Sequence, residues 1–184
     1  MLYTRKGDGG TTKTFGCDQR ISKSSSIAEA LGSLDEINSF LGLCKINSRK
    51  EKLKTAGGLF FSDIVNTIQE NLFIVQAEMA GAPKKIEKEK VVEVETIVDN
   101  IEKELPLIKT FFISGSTECG ALFDIARTIS RRAERRAVTV VEDGKVKLSP
   151  DTLAYLNRLS SLLYALARLS SHKSGINEFA PSYK

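Results

Sequence analysis

Apolar residues recur at spacings of three and four through most of this chain, in separate stretches that predict a set of amphipathic helices. Serines at 24 to 26 cap the first, which runs to about Asn47 with Ile27, Leu31, Leu34, Ile37, Leu41 and Leu43 on its apolar beat. The polar stretch NSRKEKLK separates it from a second helix near Leu59 to Ala80. That helix carries the broad set Leu59, Phe60, Ile64, Val65, Ile68, Leu72, Phe73, Val75 and Ala77, and Gly81 and Pro83 stop it. A third, about Glu87 to Leu105, is highly charged. Its narrow stripe of Val91, Val94, Ile97, Val98 and Ile101 marks it as the most exposed. The apolar connection LIKTFFISGS follows Pro106. Ser116 or Thr117 then starts a fourth helix ending near Asp143-Gly144, with Leu122, Ile125, Ala126, Ile129, Ala133 and Ala137 as its buried stripe. Ser149-Pro150-Asp151 opens a fifth, with serine at the cap and proline in the first turn. Its core face is Leu153, Leu156, Leu159, Leu163, Leu166 and Leu169.

Residues 1 to 25 carry no helical period, no segment alternates as a strand does, and the tail after Ser174 reads as unstructured. The pattern predicts an all-α, single-domain five-helix bundle with an extended N-terminal loop. Residues 1–25 form the loop, 26–173 the bundle and 174–184 the tail. A chain of 184 residues suits one core. Its net charge of +4 is too mild to argue for nucleic acid without a patch and a reading element. Cys17, Cys44 and Cys119 are widely spaced and lack a CxxC pair, which reads as reduced thiols in a cytoplasmic protein. The N-terminus lacks the apolar core of a secretory signal, and no apolar run approaches the roughly 18 residues a membrane helix needs. One histidine, His172, and scattered cysteines do not build a zinc site. A ferritin-like metal pair fails as well, because no acid stands three residues before His172.

The polar positions carry the chemistry. RTISRRAERR, Arg127 to Arg136, sets Arg127, Arg131 and Glu134 along one face beside the apolar stripe, with Arg132, Arg135 and Arg136 around them. Guanidiniums on a rigid helix suit bidentate contact with phosphate. A solvated basic face has the same composition, and composition alone leaves both readings open. In the N-terminal loop, Gly7, Gly9, Gly10 and Gly16 sit among threonines and basic residues, the composition of a phosphate-wrapping loop as well as of a flexible tail. It is not a Walker loop, since the G-x-x-x-x-G-K-[ST] spacing is absent. Asn157, Ser161, Tyr164 and Arg168 form a polar stripe on the fifth helix. Phe111 and Phe112 stand side by side in a loop, where aromatics serve either as core plugs or as a ligand wall.

YTRKGDGGTTKTFG, GSLDEINSFLGL, IARTISRRAERR and YLNRLSSLLYALAR occur in that order and cover most of the chain. Together they resemble the PduO-type ATP:cob(I)alamin adenosyltransferases. The resemblance implies a homotrimeric five-helix bundle with active sites between subunits. It also implies transfer of the adenosyl group of ATP to the cobalt of cobalamin, with Mg²⁺ and release of triphosphate. Thr4, Arg5, Lys6, Gly7, Thr12 and Lys13 match the family's nucleotide loop, and Lys23 the lysine after it. Arg131, Arg132, Glu134 and Arg135 match the arginine motif on the phosphates, and Asn157 the asparagine facing it. Asp35 and Arg127 match an acid and an arginine paired across the subunit boundary. Phe111 matches the aromatic beneath the corrin, with Phe112 its neighbouring competitor. A reductase or an adenosylcobalamin-dependent enzyme is the implied partner. Three positions depart from the family's pattern. ISGS replaces a leucine-proline-glycine-glycine turn, Asp124 stands where histidine is common, and Ser161 stands where an aspartate follows N-R-L-S. A bundle that kept nucleotide binding without catalysis is the rival class. A nucleic-acid binder fits less well, because small core residues rather than aromatics interleave the arginines.

Overall fold

The computed structural model describes residues 3–14, 19–108 and 110–183. Five helices dominate: α1 (Ser26–Lys50), α2 (Phe61–Met79), α3 (Lys88–Glu104), α4 (Glu118–Glu142) and α5 (Pro150–Lys173). Ser25, Thr117 and Ser149 each accept a backbone N–H of the first turn behind them, so α1, α4 and α5 start at the hydroxyl caps that their sequences offer. The start of α2 differs. Phe60 is its cap residue without a side-chain bond, and backbone bonds from Thr55 to Leu59 and from Phe61 to Leu53 hold the entry instead. That bracing keeps Leu59 and Phe60 outside the helix.

Laterally the helices run α2, α1, α4, α5, α3. α1 and α4 are antiparallel. Asn47 Nδ2 donates to Glu118 Oε1 at 3.0 Å near one end, and Ser26 Oγ donates to Asp143 Oδ2 at 3.1 Å at the other. The core of α4 is Cys119, Phe123, Ala126, Ile129, Ala133, Ala137 and Val140. Phe123, fully buried, replaces Ile125 in the expected stripe, and Ile125 is 47% exposed. Two residues apart on a helix are turned about 200° from one another, so only one of the pair can face the core. Phe123 wins because it meets Phe61 of α2 edge-on, with ring centroids 6.0 Å apart. Leu43 likewise leaves the expected face of α1 and is 49% exposed. At Gly120, α4 packs tightly against α5. A Cβ there would sit 2.8 Å from Thr117 Oγ1 and 3.2 Å from the Ala167 carbonyl oxygen.

The N-terminal region is not all loop. Thr11–Lys13 (β1) and Arg20–Ser22 (β2) pair antiparallel, Thr11 opposite Ser22 and Lys13 opposite Arg20. Strands of three residues are too short to alternate visibly, which is why the sequence pattern shows none. The C-terminal tail carries no regular element, yet it is fastened: Ile113 N donates to the Phe179 carbonyl at 2.8 Å, and Glu178 pairs with Arg168 of α5. No helix among the described residues is long and apolar enough to cross a membrane.

Cys44 and Cys119 are free and fully buried, while Cys17 lies outside the described residues. Burial pushes both thiols from an ordinary 9.0 up to about 12. A pKa raised in the folded state leaves stability intact below the unfolded value and removes it as pH climbs toward the folded one. The denaturant midpoint is therefore expected to stay flat at neutral pH and to fall from about pH 9 toward 12. In the native protein at neutral pH, peptide mass mapping should find Cys44 and Cys119 unmodified by iodoacetamide.

Candidate functional site

Two openings lie along the seam between α4 and α5, and Arg131 lines both. The first is a cavity of about 340 Å³ walled by the 111–116 connection on one side and by Asp124, Arg127, Arg131, Tyr164 and Arg168 on the other. The second, about 370 Å³, is lined by Arg131, Glu134, Arg135, Thr139, Glu142 and Asn157. Helical spacing explains the grouping. Residues 127, 131 and 134/135 climb one face of α4, and residues 157, 161, 164 and 168 climb the facing side of α5.

The five arginines of α4 divide by partner. Arg127 Nε lies 3.3 Å from Asp124 Oδ1, one turn earlier on the same helix, with its guanidinium 5.7 Å from the Tyr164 ring centroid. Arg132 pairs with Glu36 and Arg136 with Glu29, both across to α1. Arg131 and Arg135 have no carboxylate partner among the described residues. Between them, Glu134 Oε1 accepts a 2.9 Å bond from Asn157 Nδ2, which ties α4 to α5 and fixes the gap the two free guanidiniums face. Unpaired cations held a helical turn apart beside a fixed amide are suited to an anion with several oxygens. Burial raises the Tyr164 phenol above its ordinary 10.0 against the opposing pull of Arg168, so it remains a hydrogen-bond donor at neutral pH.

The two aromatics of the connection are not equivalent. Phe111 is 77% exposed. Phe112 is half-buried, with the Arg168 guanidinium 5.1 Å from its ring centroid. Arg168 and Tyr164 were legible as part of the polar stripe on α5. Glu178, which also lines the cavity, gave no sequence signal because it reaches the site from the tail.

The N-terminal arm is built separately. Arg20 fastens it: Nε donates to Thr11 Oγ1 at 2.8 Å, and Nη2 donates to the Thr11 carbonyl at 2.7 Å and to the Lys6 carbonyl. Lys23 N donates to the Gly10 carbonyl, and Lys23 Nζ lies 3.3 Å from where a Cβ on Gly7 would stand. Arg5 is held at φ +57°, a left-handed backbone that costs a non-glycine residue about 1 kcal/mol or more. Thr4, Arg5, Lys6, Gly7, Thr12, Lys13 and Lys23 thus sit together on one small arm. Its base is tied to α4 at Asp143, twelve residues beyond Arg131, or about 18 Å along the helix. Asp35 is exposed on α1, with no ion pair among the described residues. One chain therefore gathers Phe111, Arg127 and Arg131 at one opening and Arg131, Glu134, Arg135 and Asn157 at the next. The arm, Asp35 and Arg132 lie apart from both.

The sequence profile of the cobalamin adenosyltransferase family matches residues 2–170. The chain is 36% identical over 184 residues to the corrinoid adenosyltransferase of Bacillus subtilis (strain 168), covering 96% of this chain and 90% of that relative. It is 34% identical over 183 residues to the corrinoid adenosyltransferase PduO of Citrobacter freundii, but spans only 51% of that longer protein. Among solved structures, a variant of the PduO-type ATP:corrinoid adenosyltransferase of Lactobacillus reuteri, complexed with cobalamin and ATP, superposes with a TM-score of 0.87. The identity is 28%, and the match covers 99% of both chains.

The Arg132–Glu36 pair has side chains 43% and 50% exposed, a setting in which ion pairs contribute little. Arg132→Ala is expected to lower folding stability by less than about 1 kcal/mol, as urea titration would register.

Proposed function

The chain belongs to the cobalamin adenosyltransferase family, and on that premise we propose that it moves the 5′-deoxyadenosyl group of ATP to the cobalt of cob(I)alamin. The cobalt supplies the electron pair that forms the bond to the 5′ carbon. The bond from that carbon to oxygen breaks, and its electrons leave with triphosphate. Cobalt is oxidised formally by two electrons as adenosylcobalamin forms.

Nothing in this displacement demands a general base, which agrees with a site lined by arginines and hydroxyls rather than by histidine. The work left to the protein is alignment and stabilisation of the departing charge. The observation that carries the reading is a pair of guanidiniums, Arg131 and Arg135, without a carboxylate partner among the described residues and held around the Asn157–Glu134 bond, with Arg131 shared with the cavity that the aromatic connection walls. In this reading the triphosphate lies against Arg131, Arg135 and Asn157. Glu134 holds the asparagine in place, and Arg132 adds its charge after leaving Glu36. Phe111 faces the corrin and keeps a lower axial ligand off the cobalt.

No cluster of three acidic, histidine or cysteine side chains occurs among the described residues. A Mg²⁺ would arrive on the nucleotide, with Glu134 and Glu142 the carboxylates that line this opening. Bound there, the metal would neutralise part of the charge on the leaving triphosphate.

The arm completes the site in a neighbouring copy. Its base is tied some 18 Å from Arg131 of its own chain. Exposed Leu43, Ile46, Phe73 and Ile125 are apolar surface that the single bundle leaves uncovered. A homotrimer brings Thr4, Arg5, Lys6, Gly7, Thr12, Lys13 and Lys23 of one subunit to the arginines of the next, and Asp35 to Arg127 across the same boundary. Free Cys44 and Cys119 suit the reducing cytoplasm, where a reductase delivers cob(I)alamin and an adenosylcobalamin-dependent enzyme takes the product.

An anaerobic assay with ATP, Mg²⁺ and reduced cobalamin, following loss of the cob(I)alamin absorbance, tests the reaction. Persistent absorbance with no triphosphate released would reject it. Arg131→Ala should lose at least about 2 kcal/mol of transition-state stabilisation, read from kcat/KM. Turnover at the wild-type rate would remove Arg131 from the leaving-group site. Asp35→Asn should slow turnover with urea stability unchanged. Dissociation of the oligomer without a separate kinetic defect would make Asp35 structural instead.

A further inference from the structure

Arg168 is the most buried guanidinium on the cavity wall, with a side chain only 4% exposed. Its bonds lead away from the nucleotide side. Nε donates to both Glu178 oxygens at 3.1 and 3.0 Å, and Nη2 donates to Glu178 Oε2 at 2.8 Å and to the Pro106 carbonyl at 3.2 Å. The flat face of the same group lies 5.1 Å from the Phe112 ring centroid. Beyond it, Ile113 N donates to the Phe179 carbonyl at 2.8 Å. One buried cation thus holds three segments at once: α5, the 106–113 connection and the C-terminal tail.

A charge out of water demands such partners, and a bidentate carboxylate supplies both direction and strength. The consequence falls on the aromatic pair. With Phe112 seated beneath Arg168, adjacent Phe111 lines the cavity from its mouth, 77% exposed. We propose that Arg168 and Glu178 are positioning residues that clamp the tail onto the connection, making Phe112 the anchor and Phe111 the ring presented to the corrinoid. The proposal rests on the reading that this connection walls the corrinoid. It deepens that reading by assigning the aromatics separate tasks and by giving the tail a role in the site.

Glu178 lies outside α1 to α5, and Glu178→Ala tests the proposal with two readouts. The first is steady-state kinetics with each substrate varied. The clamp acts only on the corrinoid side, so KM for cob(I)alamin should rise about tenfold, the scale of a small misplacement of a binding wall, with KM for ATP within about twofold. The second needs no substrate. Chymotrypsin should cut after Phe111 or Phe112 faster in the variant, with the cut located by mass spectrometry. Should Glu178→Ala alone fail to fold because it strands the Arg168 charge, Arg168→Met with Glu178→Ala removes both charges and should give the same two results. Equal KM changes for both substrates, an unchanged KM for cob(I)alamin, or cleavage at the wild-type rate would each overturn the proposal. Wild-type protein run alongside separates this from the transferase reading. An inactive wild type rejects the transfer reaction, while the proteolysis arm still judges the clamp.

Discussion

The close approach of α4 to α5 is the constraint from which the rest follows. Ala126, Ala133 and Ala137 keep the buried stripe of α4 thin, and Gly120 admits the Ala167 carbonyl to a distance that a methyl group would contest. Leucines at 156, 159, 163 and 166 fill the space on the α5 side. Because the two axes are drawn together, the polar residues bordering each apolar stripe meet at the seam. Asn157 reaches Glu134 across that seam, and Tyr164 lies beside Arg127.

Charge is then distributed by partner rather than by number. Arg127, Arg132, Arg136 and Arg168 each have a carboxylate partner, whereas Arg131 and Arg135 have none among the described residues. A paired guanidinium contributes to geometry, and an unpaired one on a rigid helix remains available to a ligand. Asp124 matters here. It supplies Arg127 with a carboxylate one turn earlier on the same helix. The antiparallel run of α1 along α4 sets the base of the arm at the end of α4 away from the cavity.

The seam also separates two kinds of support. At the opening beside Glu134 and Asn157, order comes from a helix face and an amide bridge. At the cavity beside Phe111, order comes from a connection and a tail with no regular structure of their own, both drawn to the buried Arg168. The ISGS segment falls in this second half, where glycine at 115 adopts φ +100° and Ile113 N is tied to the Phe179 carbonyl.

The sequence by itself determined the five helices, the hydroxyl caps of α1, α4 and α5, and the polar faces of α4 and α5. These are set by interactions within a few residues of one another, and a period of three and four records them. The motif residues were legible for the same reason, since Arg131, Glu134 and Asn157 lie on regular faces. Only the tertiary structure decided between Phe123 and Ile125, because the choice depends on Phe61 from another helix. It likewise decided which arginines gain a carboxylate partner, since Glu36 and Glu29 lie 96 and 107 residues from Arg132 and Arg136, and it recruited Glu178 to the site. A local pattern records which way a side chain can face; which partner meets it there is fixed by segments far off in the chain.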